Sequence, residues 1–190
     1  MFSHTPARRL VAFTVLLAAG LVFLAQQGTA QNADNEAVFT SPTIDLGVVV
    51  SDVDKAVAFY TGAIGFQEVP GFSVPADFCK QAGLTDGHKL DIRVLALGDG
   101  PGATRLKLMQ LPGVDSTKSD NTHIHSQLGY SYITIRVADT SAAVARLHEH
   151  GAQPVAQGPV ALPKELSTTE FLTVVRDPDG NLVELVGPKR

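Results

Sequence analysis

Residues 44–60 read IDLGVVVSDVDKAVAFY, and residues 131–147 read SYITIRVADTSAAVARL. Set at one fixed offset, Val50, Asp52, Ala56, Val57 and Ala58 of the first stretch recur as Val137, Asp139, Ala143, Val144 and Ala145 of the second. Each stretch alternates like a strand, then places an Asp suited to capping a helix, then follows helical spacing. Val53, Ala56, Val57 and Tyr60 fall on one helical face, as do Val144 and Leu147. Glycines at 62, 65 and 151 stand where each helix should stop. Such self-similarity means that one supersecondary unit is used twice.

The rest of each copy follows the same plan. Copy one continues with QEV, then LDIRVLAL and TRLKLMQL joined by the turn-rich GDGPGA. Copy two continues with QPVA, then TEFLTVVR and NLVELV joined by Asp177-Pro178-Asp179-Gly180, whose Pro and Gly positions suit a type I turn. The unit is β-α-β-β-β, twice, an α+β fold. Copy one carries the longer insertion, PGFSVPADFCKQAGLTDGHK, and copy two carries GPVALPKELST.

Strand alternation separates two faces. Leu46, Val48 and Val50 oppose Asp45, Gly47 and Val49; Ile133, Ile135 and Val137 oppose Tyr132, Thr134 and Arg136. In the last strand Val183 and Leu185 oppose Leu182, Glu184 and Val186. The apolar faces pack on the helices, so the faces carrying Asp45, Tyr132, Arg136 and Glu184 line something polar. A carboxylate inside a strand as apolar as NLVELV is expensive unless it is paired, metal-bound or turned into a wet cleft. Glu184 is therefore expected in a cleft.

A chain of 190 residues with 44% hydrophobic and 18% charged residues can bury one real core. With a net charge of -4 and scattered Lys and Arg, nothing marks a nucleic-acid surface. Arg8 and Arg9 precede LVAFTVLLAAGLVFLA, and Gly28 and Ala30 follow at cleavage-site spacing. Residues 1–30 read as a secretory signal peptide cut near Ala30, which sends the protein to the periplasm or outside the cell and limits membrane contact to export. The alternative is an uncleaved anchor, for which the apolar run is slightly short. Residues 31–42 read as a polar linker. The single Cys79 cannot form an intrachain disulfide and reads as a buried thiol on a short helix in DFCKQAGL.

The paired modules, VSDVDKAVAFYTGAIGF and the terminal DPDGNLVELV resemble the vicinal oxygen chelate superfamily, which includes glyoxalase I, extradiol dioxygenases, methylmalonyl-CoA epimerase, and fosfomycin and bleomycin resistance proteins. The resemblance covers about residues 43–187, with modules at about 43–112 and 129–187. It implies two βαβββ modules curving a mixed sheet around a cleft. It says little about the reaction, because one fold hosts many chemistries. In metal-dependent members, four equivalent strand positions surround a divalent cation; here the resemblance places Asp45, Lys107, Tyr132 and Glu184 there. Glu184 fits that pattern, Asp45 and Tyr132 stand where His is common, and Lys107 is a poor ligand.

The expectation is a metal-free site in which the Lys107 ammonium pairs with Asp45 and Glu184 while Tyr132 donates a hydrogen bond. No cofactor is favoured. A divalent metal on Asp45 and Glu184 is the alternative, and His123 and His125 in NTHIHS offer imidazoles if they leave the linker surface. A slipped alignment of TRLKLMQL would substitute Arg105, Met109 or Gln110. Arg93, Arg105 and Arg136 are expected on the cleft faces, serving an anionic or carbonyl-rich ligand or bridging Asp91 and Glu170. Phe78, in the insertion, is expected at the cleft mouth. His88, His148 and His150 read as surface residues.

The leading functional expectation is an exported protein that binds a small organic molecule without a metal. The alternative is a lyase, isomerase or dioxygenase of the same superfamily. That enzyme would be metal-dependent, or metal-free with Glu184 as base and Tyr132 or Lys107 as acid. A third reading is an assembly module with a vestigial cleft. A homodimer is compatible with each, since members of this superfamily exist both as monomers and as dimers.

Overall fold

The structure, a computed structural model, describes residue 41 and residues 43–190. The expected signal peptide and all of the linker except Ser41 lie outside the described residues. Within Thr43–Arg190 each copy of the repeat builds its own four-stranded sheet. The first copy runs β1 (Leu46–Val49), α1 (Val53–Ala58), a π-helical turn (Phe59–Ile64), β2 (Gln67–Val74), α2 (Ala76–Gln81), β3 (Leu90–Leu97) and β4 (Thr104–Met109). The second runs β5 (Tyr132–Arg136), α3 (Thr140–Glu149), β6 (Val160–Ala161), β7 (Glu170–Arg176) and β8 (Leu182–Pro188).

The sheet orders are β1-β4-β3-β2 and β5-β8-β7-β6, so the two copies share one topology. In each, the first strand pairs with the last in parallel and the other pairings are antiparallel. The helices start and stop where the sequence places them. Asp52 accepts the Lys55 N–H at 3.0 Å and Asp139 accepts the Ser141 N–H at 2.8 Å, each satisfying an otherwise orphaned donor. Gly65, at φ 106°, takes the left-handed turn that ends the first helical run.

One apolar core joins the copies. It contains Ala56, Val57, Tyr60, Leu95, Leu106 and Leu108 from the first and Ile135, Leu147, Val183 and Leu185 from the second. Two polar contacts reinforce it. The Arg146 guanidinium donates to the carbonyls of Ala63 (3.0 Å) and Ile64 (2.9 Å), placing a cation on the C-terminal end of the other copy's helix. The Tyr60 hydroxyl donates to Asp177 Oδ2 at 3.0 Å.

Asp177 explains the DPDGN motif. Its Oδ1 accepts the Asp179 N–H (2.9 Å) and the Asn181 N–H (2.8 Å), and its Oδ2 also accepts the Asn181 amide (2.9 Å). The Gly180 N–H closes the turn on the Asp177 carbonyl at 2.9 Å. The same turn reaches outward, since Asp179 Oδ2 accepts the Ser51 N–H at 3.0 Å. Arg176 also donates to the carbonyls of Asn121 and Thr122 in the segment between the copies. The motif is thus a clamp between modules as well as a hairpin turn.

Two strands differ from expectation. β2 runs on through Phe72–Val74, past an irregularity between Val69 and Phe72, so residues 70–74 belong to the sheet rather than to the insertion. Only glycine fits at position 71, where a Cβ would lie 2.2 Å from the Ile92 carbonyl oxygen. In the second copy QPVA gives only an isolated bridge, Pro154 to Val175, and the edge strand is Val160–Ala161 instead. Proline has no N–H with which to extend a ladder.

Candidate functional site

The strand registers put Lys107 and Glu184 at equivalent places. On the face turned away from α1, the face that carries Cys79 of α2 over Ile92 and Val94, Gly47, Lys107 and Val94 lie side by side across β1, β4 and β3. In the second sheet Thr134, Glu184 and Val174 lie side by side across β5, β8 and β7. Asp45 and Tyr132 stand two residues before Gly47 and Thr134. The repeat has therefore diverged at its centre, with a cation in one sheet and a carboxylate in the other.

Each charge has its own partner. Lys107 Nζ lies 2.8 Å from Asp45 Oδ2, with about a third of each side chain exposed (30% and 35%). The Phe72 ring lies on another side of the ammonium, its centroid 6.0 Å away. Glu184 Oε2 accepts the Thr134 hydroxyl at 2.7 Å. The expected contacts of Lys107 with Glu184, and of Tyr132 with either acid, are not among the hydrogen bonds and ion pairs of the described residues. The separation follows from register: Thr134 is directly opposite Glu184, whereas its counterpart Gly47 has no side chain and leaves Lys107 to reach Asp45.

Two cavities meet this arrangement. One, of about 430 Å³, lies between the first strands of the two modules and is lined by Asp45, Tyr60, Tyr130, Tyr132, Ile133 and Leu182, among others. The other, of about 340 Å³, lies on the first sheet over Lys107, Arg105, Val94, Val69 and Phe72. Asp45 lines the first and Lys107 the second, so their ion pair links the two linings.

The hydrogen bond from Lys107 holds the Asp45 carboxyl below the usual carboxylate range; the charges of Lys107 and Arg105 add to this, and burial opposes it. A depressed carboxyl contributes stability above its unfolded pKa, roughly 3.9, and loses it as pH falls through the lower folded value. Asp45→Asn should therefore flatten the fall of melting temperature as pH drops below about 4. The change should be small because both partners are solvated. An unchanged acid limb in a pH series of thermal melts would show that the pair contributes nothing to folding.

The remaining expected residues are dispersed. Arg136 bonds Glu170 at 2.7 Å, the bridging role rather than an unpaired one. Arg93 does not face the cleft: its register partner is Leu108, on the helix side, and it pairs with Asp54 and Glu68. The reading of Arg93 as a cleft residue is corrected by that register. Phe78 is exposed on α2 and lines neither cavity; Phe72, on the extended β2, lines the one over Lys107. Cys79 is buried, as its short helix implied. His123 and His125 lie in a turn-rich segment rather than a strand, their rings stacked 5.4 Å apart. Thr134 was legible only as a cleft-face residue; its role toward Glu184 needed the parallel register.

A model of the Glyoxalase/Bleomycin resistance protein/Dioxygenase superfamily matches residues 43–185. No curated protein matches the chain. Among solved structures, a glyoxalase family protein from Bacillus cereus is similar at 23% identity and TM-score 0.65, over 81% of this chain and 99% of its own. The trypanothione-dependent glyoxalase I of Leishmania major is similar at 26% identity and TM-score 0.51, over 76% of this chain and 85% of its own. A glyoxalase/bleomycin resistance protein/dioxygenase domain from Frankia shares the fold at 16% identity and TM-score 0.54, over 79% of this chain and 93% of its own. The chain belongs to the glyoxalase/bleomycin resistance protein/dioxygenase superfamily.

The divalent cation of that superfamily's metal-dependent members does not fit the residues here. Among the described residues no group of three or more His, Cys, Asp and Glu is placed to hold a metal ion. Of the four positions the resemblance assigns, one presents an ammonium already bonded to the carboxylate that would have to ligate.

Proposed function

We propose that this protein is an exported, metal-independent member of its superfamily that binds a small organic molecule at the junction of its modules. The observation that carries the reading is the Lys107–Asp45 ion pair at 2.8 Å, which supplies a fixed positive charge where metal-dependent relatives would need a ligand. The adjoining cavities have the size of small-molecule sites and mix apolar walls with a few polar groups. Export rests on the basic, apolar and small-residue order of residues 1–30.

The Thr134–Glu184 hydrogen bond favours a second reading, metal-free catalysis. It engages one carboxylate oxygen and leaves the other as a proton acceptor, although Glu184 lines neither of the two cavities, so this reading needs a ligand that reaches past them. Thermal-shift screening of small organic molecules, with and without chelator, tests the first reading. Stabilisation should be saturable, indifferent to chelator and partly retained in Glu184→Gln. Stabilisation that vanishes with chelator contradicts it, and turnover that collapses in Glu184→Gln establishes the second.

A further inference from the structure

We infer that the cavity on the first sheet takes a small apolar carboxylate, its carboxyl group held by Arg105 and Lys107. This rests on the small-molecule reading above and names the ligand's chemistry. The two cations stand two residues apart on β4, so both rise from the same face of the strand, and both line the cavity. Their states differ. Lys107 spends one of its three donors on Asp45, while Arg105 forms no ion pair among the described residues although its guanidinium can present a two-pronged donor.

The rest of the lining favours an apolar body. Val69, Phe72, Val94 and Ala96 supply the walls. The cavity's one carboxylate, Asp99, sits on the exposed turn between β3 and β4, where solvent screens it. A cationic ligand would meet on the floor the Arg105 guanidinium, which no ion pair among the described residues offsets, beside the ammonium that Asp45 pairs. A neutral ligand would leave the Arg105 donors to water. An aryl or short-chain carboxylate satisfies both the floor and the walls, and charge-assisted bonds to a guanidinium are the strong kind.

The test is calorimetric titration of the full chain, in chelator, with 2-naphthoate and its neutral isostere 2-naphthamide. The naphthoate should bind at one site per chain and at least about tenfold more tightly than the amide. Arg105→Ala should weaken the naphthoate by about tenfold or more and leave the amide unchanged, and Arg105→Lys should recover part of the loss. Arg105 is exposed, so these variants should fold normally. Equal binding of acid and amide, insensitivity to Arg105→Ala, or no naphthoate binding overturns the inference. If the naphthoate fails while another ligand stabilises the protein in chelator, only the carboxylate assignment falls. Ligands that stabilise only with metal present refute the metal-independent reading instead, and the titration in chelator still decides the carboxylate.

Discussion

Asp177→Ala is expected to destabilise the fold by about 2–4 kcal/mol, because it leaves one buried and three partly buried donors without their acceptor and an unsatisfied buried donor costs roughly 1–3 kcal/mol. Asp177 is buried and accepts bonds from Tyr60, Asn181 and two backbone N–H groups. Losing it loosens the turn between β7 and β8 and removes the turn's bond to Tyr60, leaving the Ser51–Asp179 bond to hold it to the first module. Tyr60→Phe removes only the hydroxyl's bond to Asp177 and should cost about 1–3 kcal/mol. Burial, followed by the nearby Asp177 charge, drives the Tyr60 hydroxyl far above the usual tyrosine range. A raised acid contributes stability that is complete below its unfolded pKa, about 10, and is lost as pH rises beyond it. The wild type should therefore weaken above about pH 10 and Tyr60→Phe should lack that component. Urea unfolding at neutral and alkaline pH measures both effects; an Asp177→Ala protein within about 1 kcal/mol of wild type would show that the clamp is not structural.

Lys107→Glu is expected to reverse the metal behaviour of the site. The substitution sets two carboxylates against each other where an ion pair now stands 2.8 Å apart. In chelator the variant should melt below wild type, through repulsion that the partly exposed position keeps modest. Added manganese or zinc should then raise its melting temperature, since an ion at 100 times its dissociation constant contributes about 2.7 kcal/mol. Wild type should not respond. A variant as indifferent to metal as wild type would mean that the acids on these strands cannot converge on one ion.

The fold was readable because its strongest signals are local. Asp52 and Asp139 announce helix starts, Gly65 and Gly151 announce ends, and two-residue alternation assigns the faces of β1, β5 and β8 without tertiary information. The edge strands were harder. β2 continues into what reads as an insertion because Gly71 lets the backbone pass Ile92, and QPVA fails to form a strand because Pro154 lacks a donor. At the site, the alternation that found Asp45, Tyr132 and Glu184, and the resemblance that added Lys107, could not say which would touch. Partner choice depended on cross-strand register: Thr134 opposite Glu184, Gly47 opposite Lys107, and Leu108 opposite Arg93, which turns that arginine away. The DPDGN acid was legible as a turn residue but not as a partner of Tyr60, 117 residues earlier.

The most direct test of a metal-independent site is metal content. The protein, purified without a metal-binding tag and dialysed against a mixture of divalent cations, should carry no stoichiometric metal when counted per chain by mass spectrometry. Close to one ion per chain, lost on Asp45→Asn or Glu184→Gln, would contradict the assignment of Lys107 as the charge that stands in for a cation.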